Sequence, residues 1–129
     1  EKLEKAKASI PTLIHPSVII GEDVNIGHGT VVMAGTIINP STKIGKGCII
    51  NTGSTIDHDS YIEDYVHISP GSHLAGTVNV GENSWLGTGC IVINNINIAR
   101  DIIIGAGGLV VNDLTAPGTY VGIPVKKIK

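Results

Sequence analysis

The stretch INTGSTIDHDSYIEDYVHISPGSHLAGTVNVG, residues 50–81, carries an aliphatic residue at every sixth position: Ile50, Ile56, Ile62, Ile68, Leu74 and Val80. Extended both ways, the same phase runs from Ile14 to Val110, and all seventeen positions hold Ile, Val or Leu. Four residues after each anchor comes a mostly small or β-branched residue, among them Thr30, Thr36, Thr42, Cys48, Ser54, Ser72 and Cys90. Side chains alternate along a strand, so this residue and the next anchor, two positions on, point the same way, inward. The residue directly after the anchor is Gly at 21, 27, 45, 81, 87 and 105 and Asn at 39 and 51. Both types accept left-handed backbone, so this position is expected to turn the corner between strands. A sandwich would not hold one six-residue phase across residues 14–115 without a hairpin; a coiled β solenoid would.

Composition agrees with that reading. The 129 residues contain 22 Ile and 12 Val against 6 Leu, with no Phe and no Gln, an excess of β-branched residues that favours strands. Few aromatics imply a thin aliphatic core. The net charge of −2 comes with no basic run, which argues against a nucleic-acid partner. The apolar runs are far shorter than a membrane span, and no signal-peptide pattern is present. Cys48 and Cys90 lie in Ile-rich surroundings, form no CxxC pair, and read as buried thiols of a cytoplasmic protein.

The hexapeptide pattern resembles that of the left-handed parallel β-helix of the hexapeptide-repeat acyltransferases, and the resemblance covers residues 14–115. Handedness is what the resemblance implies, since general crossover rules favour the opposite hand. In that fold three hexads make one triangular coil, so residues 18 apart stack. The repeat then makes about 5.7 coils rising ~4.8 Å each, a prism roughly 27 Å long. Residues 1–13 are expected to form a short helical cap and linker, and residues 116–129 a tail that leaves the repeat and covers the far end.

That register places His58 in the column Glu22, Pro40, His58, Gly76, Asn94, outside the core near a corner. Gly76, next in the column, has no side chain, which is expected to leave room for a ligand to reach the imidazole. His67 falls in the column Ile49, His67, Trp85, Ile103, an outward column apolar enough to read as a subunit interface. Asp57 and Asp59 flank His58. A carboxylate on one ring nitrogen would fix the tautomer and free the other nitrogen to accept a proton. From the residues alone, two readings stay open: a catalytic base, or a solvated corner.

Beyond the repeat, "IHPS", the stretch 50–81 and "GAGGLVVNDL…GTYVGIPVKKI" resemble one branch of these acyltransferases. It comprises sugar O-acyltransferases associated with sialic acid and acetyl-CoA-dependent N-acetyltransferases acting on UDP-4-amino-sugars. The resemblance implies that His58 is the general base, Asp59 orients it and Asp57 helps. It implies that His67 lies near the thioester, with acetyl-CoA in the groove between prisms of a homotrimer. The coenzyme would be held along one column edge by Gly76, Thr88, Ala106 and Gly107, with Lys126 and Lys127 toward its phosphates. It also implies an N-terminal Rossmann-like domain. The chain begins at Glu1, and it is expected to be the catalytic part of a longer protein. Transfer would be direct in a ternary complex, with a backbone N–H near Gly76 facing the developing oxyanion. No metal is expected.

Two other classes compete with this one. Hexapeptide-repeat carbonic anhydrases hold zinc through three histidines, which would here be His58, His67 and His73. Their paired ligands have four residues between them, whereas His67 and His73 have five. An ice-binding prism would show an outward Thr ladder, but Thr30, Thr36 and Thr42 fall at inward positions, and a pure scaffold would not need Asp57-His58-Asp59 beside the gap at Gly76. His15, His28 and His73 read as structural or solvated.

Overall fold

The computed structural model describes residues 1–2 and 10–129. The helix expected near the N-terminus falls mainly on residues 3–9, outside the described residues. From Leu13 onward the chain winds as a left-handed parallel β-helix with three faces. Face I stacks the strands Leu13–Ile14, Val31–Val32, Ile49–Ile50, His67–Ile68, Trp85–Leu86 and Ile102–Ile104. Face II stacks Ile19–Ile20, Ile37–Ile38, Thr55–Ile56, His73–Leu74, Ile91–Val92 and Leu109–Val110. Face III stacks Asn25–Ile26, Lys43–Ile44, Tyr61–Ile62, Asn79–Val80 and Asn97–Ile98. All these neighbours pair in parallel with a register of 18, as in Ile50 against Ile68 and Ile68 against Leu86.

Every anchor from Val32 to Val110 is buried, and these side chains form one continuous core. The small inward residues do more than fill space. The hydroxyls of Thr30, Thr36, Thr42, Ser54, Ser72 and Ser84 each donate to a backbone carbonyl fifteen residues further on, at 2.7 to 3.1 Å. An aliphatic side chain there would leave that carbonyl without this partner inside the prism, a loss of about 1–3 kcal/mol. Among the described residues no buried side-chain nitrogen or oxygen lacks a partner.

The corners differ from expectation. Every sixth residue from Asp23 to Gly107 has positive φ, and this position is three after the anchor rather than one. Its occupants include Asp59, Tyr65 and Thr77 as well as glycines. The glycine directly after the anchor has another cause: a Cβ at Gly27 would stand 2.5 Å from the carbonyl carbon of Gly45, and one at Gly81 2.4 Å from the backbone nitrogen of Arg100. Close approach of successive coils, not left-handed backbone, excludes a side chain there.

The register slips by two between Val110 and Leu114. Leu114 bridges Ile98, and Gly118 to Tyr120 pair with Ile102 to Ile104, each sixteen residues apart. The strand Gly118–Gly122 thus still stacks on face I, and Val125–Lys127 folds back on it antiparallel. Leu114 and Tyr120 join the buried core at this end, and the Tyr120 hydroxyl donates to the Ala116 carbonyl at 2.7 Å.

Candidate active site

Asp57, His58 and Asp59 form the corner where face II passes into face III. Asp59 occupies the left-handed position, with φ of 54°, and this backbone turn aims its carboxylate at the preceding ring. His58 Nδ1 lies 2.9 Å from Asp59 Oδ2. A carboxylate can only accept, so Nδ1 carries the proton, and in the neutral ring Nε2 is the nitrogen with the free lone pair. Asp57 has a different task. Its Oδ1 accepts from the His58 backbone N–H at 2.8 Å and from Asn39 Nδ2 at 3.0 Å, while its carbonyl accepts from Thr42 Oγ1. It fastens the peptide that bears the imidazole, while the carboxylate bonded to the ring is that of Asp59.

The space over Gly76 is not left open. A Cβ on Gly76 would lie 2.5 Å from His58 Nε2 and 2.7 Å from Cε1, so the imidazole itself fills the gap the glycine creates. The Thr77 N–H donates to the His58 carbonyl and the Asn95 N–H to the Gly76 carbonyl, which ties the corner to the next two coils. Along face II, beside this corner, runs a groove of about 530 Å³ whose lining includes Asn39, Asp57, His73, Ile91 and Asn94. Within it Thr55 Oγ1 and His73 Nδ1 lie 2.7 Å apart.

The other candidate residues stand elsewhere in the same chain. His67 lies on face I, stacked on Trp85 with ring centroids 5.5 Å apart and planes 9° from parallel. Burial pushes the His67 imidazole below its ordinary pKa, favouring the neutral ring. Asn51 Nδ2 lies 3.3 Å from its Nε2, and Trp85 Nε1 donates to Ser69 Oγ at 2.8 Å. Thr88 and Ala106 stack at the corner between faces I and II, where the Gly107 N–H donates to the Thr88 carbonyl. Gly76 lies at the opposite edge of face II. The coenzyme residues implied by the resemblance therefore divide between two corners rather than following one edge. Lys126 is exposed on the terminal hairpin, whose return strand lies one strand beyond Gly118–Gly122 and so more than four strand spacings above His58, roughly 22 Å along the prism. His58, His67 and His73 occupy a corner and two different faces, and among the described residues no three His, Cys, Asp or Glu side chains could share a metal ion.

Sequence reasoning did not anticipate Asn39, Thr55 or Asn51 as partners of site residues. The 18-residue stacking that places Asn39 beneath Asp57, and Thr55 beneath His73, could have found the first two.

The exposed columns distinguish the faces. Leu13, Ile49, Trp85 and Ile103 lie exposed on face I, and Ile19 and Ile91 on face II. Face III presents Asn25, Lys43, Tyr61, Asn79 and Asn97.

The sequence pattern of the family described as bacterial transferase hexapeptide (six repeats) matches residues 41–76. No curated protein matches the chain. Solved structures do. The acetyltransferase domain of PglB from Neisseria gonorrhoeae FA1090 is 35% identical with a TM-score of 0.95, over 98% of this chain and 62% of that one. It has also been solved in complex with acetyl coenzyme A. A histidine-to-asparagine mutant of perosamine N-acetyltransferase from Caulobacter crescentus, in complex with CoA and GDP-perosamine, is 41% identical with a TM-score of 0.96, over 99% of this chain and 61% of that one. WeeI from Acinetobacter baumannii AYE is 28% identical with a TM-score of 0.92, over 98% and 62%. The chain thus spans about three-fifths of the length of these solved chains.

Proposed function

The chain belongs to the hexapeptide-repeat family of left-handed β-helix proteins, and from that premise we propose that it transfers an acetyl group from acetyl-CoA to the amine of a nucleotide-linked amino-sugar. The observation that carries this is the exposed His58 ring, whose Nδ1 is held by Asp59, which leaves Nε2 as the acceptor nitrogen of the neutral imidazole. The solved relatives with CoA, acetyl-CoA and GDP-perosamine bound supply the substrate class.

In the step proposed, the neutral sugar amine attacks the thioester carbonyl carbon and the new C–N bond forms. Nε2 takes the proton the nitrogen releases, and Asp59 stabilises the imidazolium. A backbone N–H at the Gly76 corner faces the carbonyl oxygen as it gains charge. The C–S bond then breaks, and the coenzyme thiolate takes the proton from His58. No acyl-enzyme is required: both cysteines are buried and burial pushes their pKa values up, that of Cys90 to about 12.

Assembly follows from the faces. A closed ring needs two different complementary patches, and faces I and II are the apolar ones. Packing face I of one prism on face II of the next would bring the neighbour's His67 and Trp85 to the groove beside His58. Site residues that stand on separate faces of one chain would thereby meet. Three copies is the number the family resemblance implies. A CoA donor and two buried free thiols suit a cytoplasmic setting.

The test is release of the coenzyme thiol from acetyl-CoA with GDP-, UDP- and dTDP-4-amino-sugars, with sialic acid as the hydroxyl acceptor, comparing the native chain with His58→Ala. Turnover on an amino-sugar that falls about a thousandfold in the variant, with coenzyme binding retained, is the expected result. Acetylation of the hydroxyl acceptor alone would move the assignment to O-acetylation. Turnover that survives His58→Ala would remove His58 as the base.

A further inference from the structure

Face III carries a second groove, of about 630 Å³. Its floor is the outward column Tyr61, Asn79 and Asn97, and the segment Asp113–Thr115, where the register slips, lines its upper end. It begins three residues beyond His58 and climbs three coils, roughly 14 Å.

The chemistry of its lining is specific. Tyr61 is half-exposed, at 49%, and so offers ring surface to the groove it lines. Asn79 Nδ2 donates to Asn97 Oδ1 at 2.8 Å, and Asp113 Oδ1 accepts from the Asn97 N–H at 2.8 Å. Among the described residues this leaves Asn79 Oδ1, Asn97 Nδ2 and Asp113 Oδ2 to face the groove as an alternating set of acceptors and donors. Glu63 adds a further carboxylate, with Oε2 occupied by the Glu82 N–H at 2.8 Å. The cation at the rim, Arg100, is already paired with Glu82 at 3.3 Å and Asp101 at 3.0 Å. The net field is therefore negative, which disfavours phosphates and other anions and sets this groove apart from any that holds a coenzyme or a nucleotide.

We infer that the face III groove binds a short uncharged oligosaccharide. A pyranose offers an apolar C–H face to an aromatic ring and hydroxyls on its rim to amides and carboxylates. Tyr61 supplies the ring, and the Asn79–Asn97 ladder and Asp113 supply the rim contacts. The ~4.8 Å coil spacing is about the width of one sugar ring, so three coils take two to three residues. Face III is also the polar face of the prism, so a ring built on faces I and II leaves it open.

Binding is read by calorimetry and saturation-transfer NMR on the full chain without coenzyme, using maltotriose and chitotriose as neutral probes and glucose 6-phosphate as the anionic one. The expected Kd for a neutral trisaccharide is of millimolar order. Tyr61→Ala and Asn79→Leu each weaken it about tenfold with an unchanged melting temperature, and glucose 6-phosphate binds more weakly than either neutral probe until Glu63→Gln and Asp113→Asn are combined. His58→Ala leaves saccharide binding unchanged, so a failure of the acyl-transfer reading would not register here. Absence of binding by both neutral probes up to about ten times the expected Kd overturns the inference. So does binding that ignores Tyr61→Ala, or a preference for the anion.

Discussion

Gly76→Ala is the substitution that separates the geometry of the His58 corner from its stability. The new methyl carbon would lie 2.5 Å from His58 Nε2, 2.7 Å from Cε1 and 3.2 Å from Cδ2. Ordinary contact begins near 3.5 Å, so the ring must retreat by about 1 Å. The imidazole side chain is 56% exposed and can swing outward without disturbing the core. Gly76 is not among the residues with positive φ, so alanine meets no backbone strain there. The stability change should stay within about 0.5 kcal/mol. The retreat stretches the 2.9 Å contact from Nδ1 to Asp59 and displaces Nε2 from its working position. A misplacement of that size costs about a hundredfold in kcat. Steady-state thiol release gives the rate, calorimetry with CoA the coenzyme affinity, and thermal denaturation the stability. Gly53→Asn is the control: nothing lies within 4 Å of a Cβ there, its φ of 68° is one that Asn accepts, and activity should be unchanged. Wild-type turnover by Gly76→Ala would refute the assignment of Nε2 in this orientation as the proton acceptor.

Four further outcomes follow from the same structure. Asp59→Asn should lower kcat by about 10- to 100-fold at unchanged melting temperature, whereas Asp57→Ala should cost about 1 kcal/mol in thermal denaturation through the loss of its bonds to the His58 N–H and Asn39. His67, lowered by burial, should titrate by NMR below the ordinary histidine value. The unfolded chain then binds more protons than the native one in that window, so His67 contributes stability that is present above its unfolded pKa and lost as pH falls through its native pKa; Trp85→Ala should return the midpoint toward normal. Thr77, β-branched at φ 57°, should be relieved by Thr77→Asn, with a gain of up to about 1 kcal/mol read as a rise in Tm. Cys90, with its pKa at about 12, should resist thiol reagents at pH 8 in the folded protein and react on unfolding.

Much of this architecture is legible in the residues because its cause is periodic. Anchors such as Ile56 and Leu74 declare the core, and the 18-residue step places His67 beside Trp85, where the two rings stack. The corner was harder to read. Left-handed backbone falls on Tyr65 and Thr77 as readily as on glycine, because the coil imposes it on whatever side chain occupies that position. Composition alone therefore drew attention to the wrong glycine. The pairing of His58 with Asp59 was readable from their adjacency, but the separate duty of Asp57 was not, since it depends on Asn39 one coil below. Gly76, Thr88 and Ala106 looked alike as small residues, and only the count of hexads around the prism assigns them to different corners. The slip after Val110 shows in the phase only as its end: the next in-phase position is Ala116, and Leu114 takes the core place two residues early.

The unbroken register from Leu13 to Val110 also governs how such a chain can change its length over evolutionary time. Removing one residue from the middle would move every later side chain off its column, turning core outward and outward residues in. Removing or duplicating eighteen would leave each neighbour facing an equivalent neighbour, with the prism shorter or longer by one storey. Length is thus quantised in whole coils, and among the described residues the final turn alone keeps a register of sixteen instead.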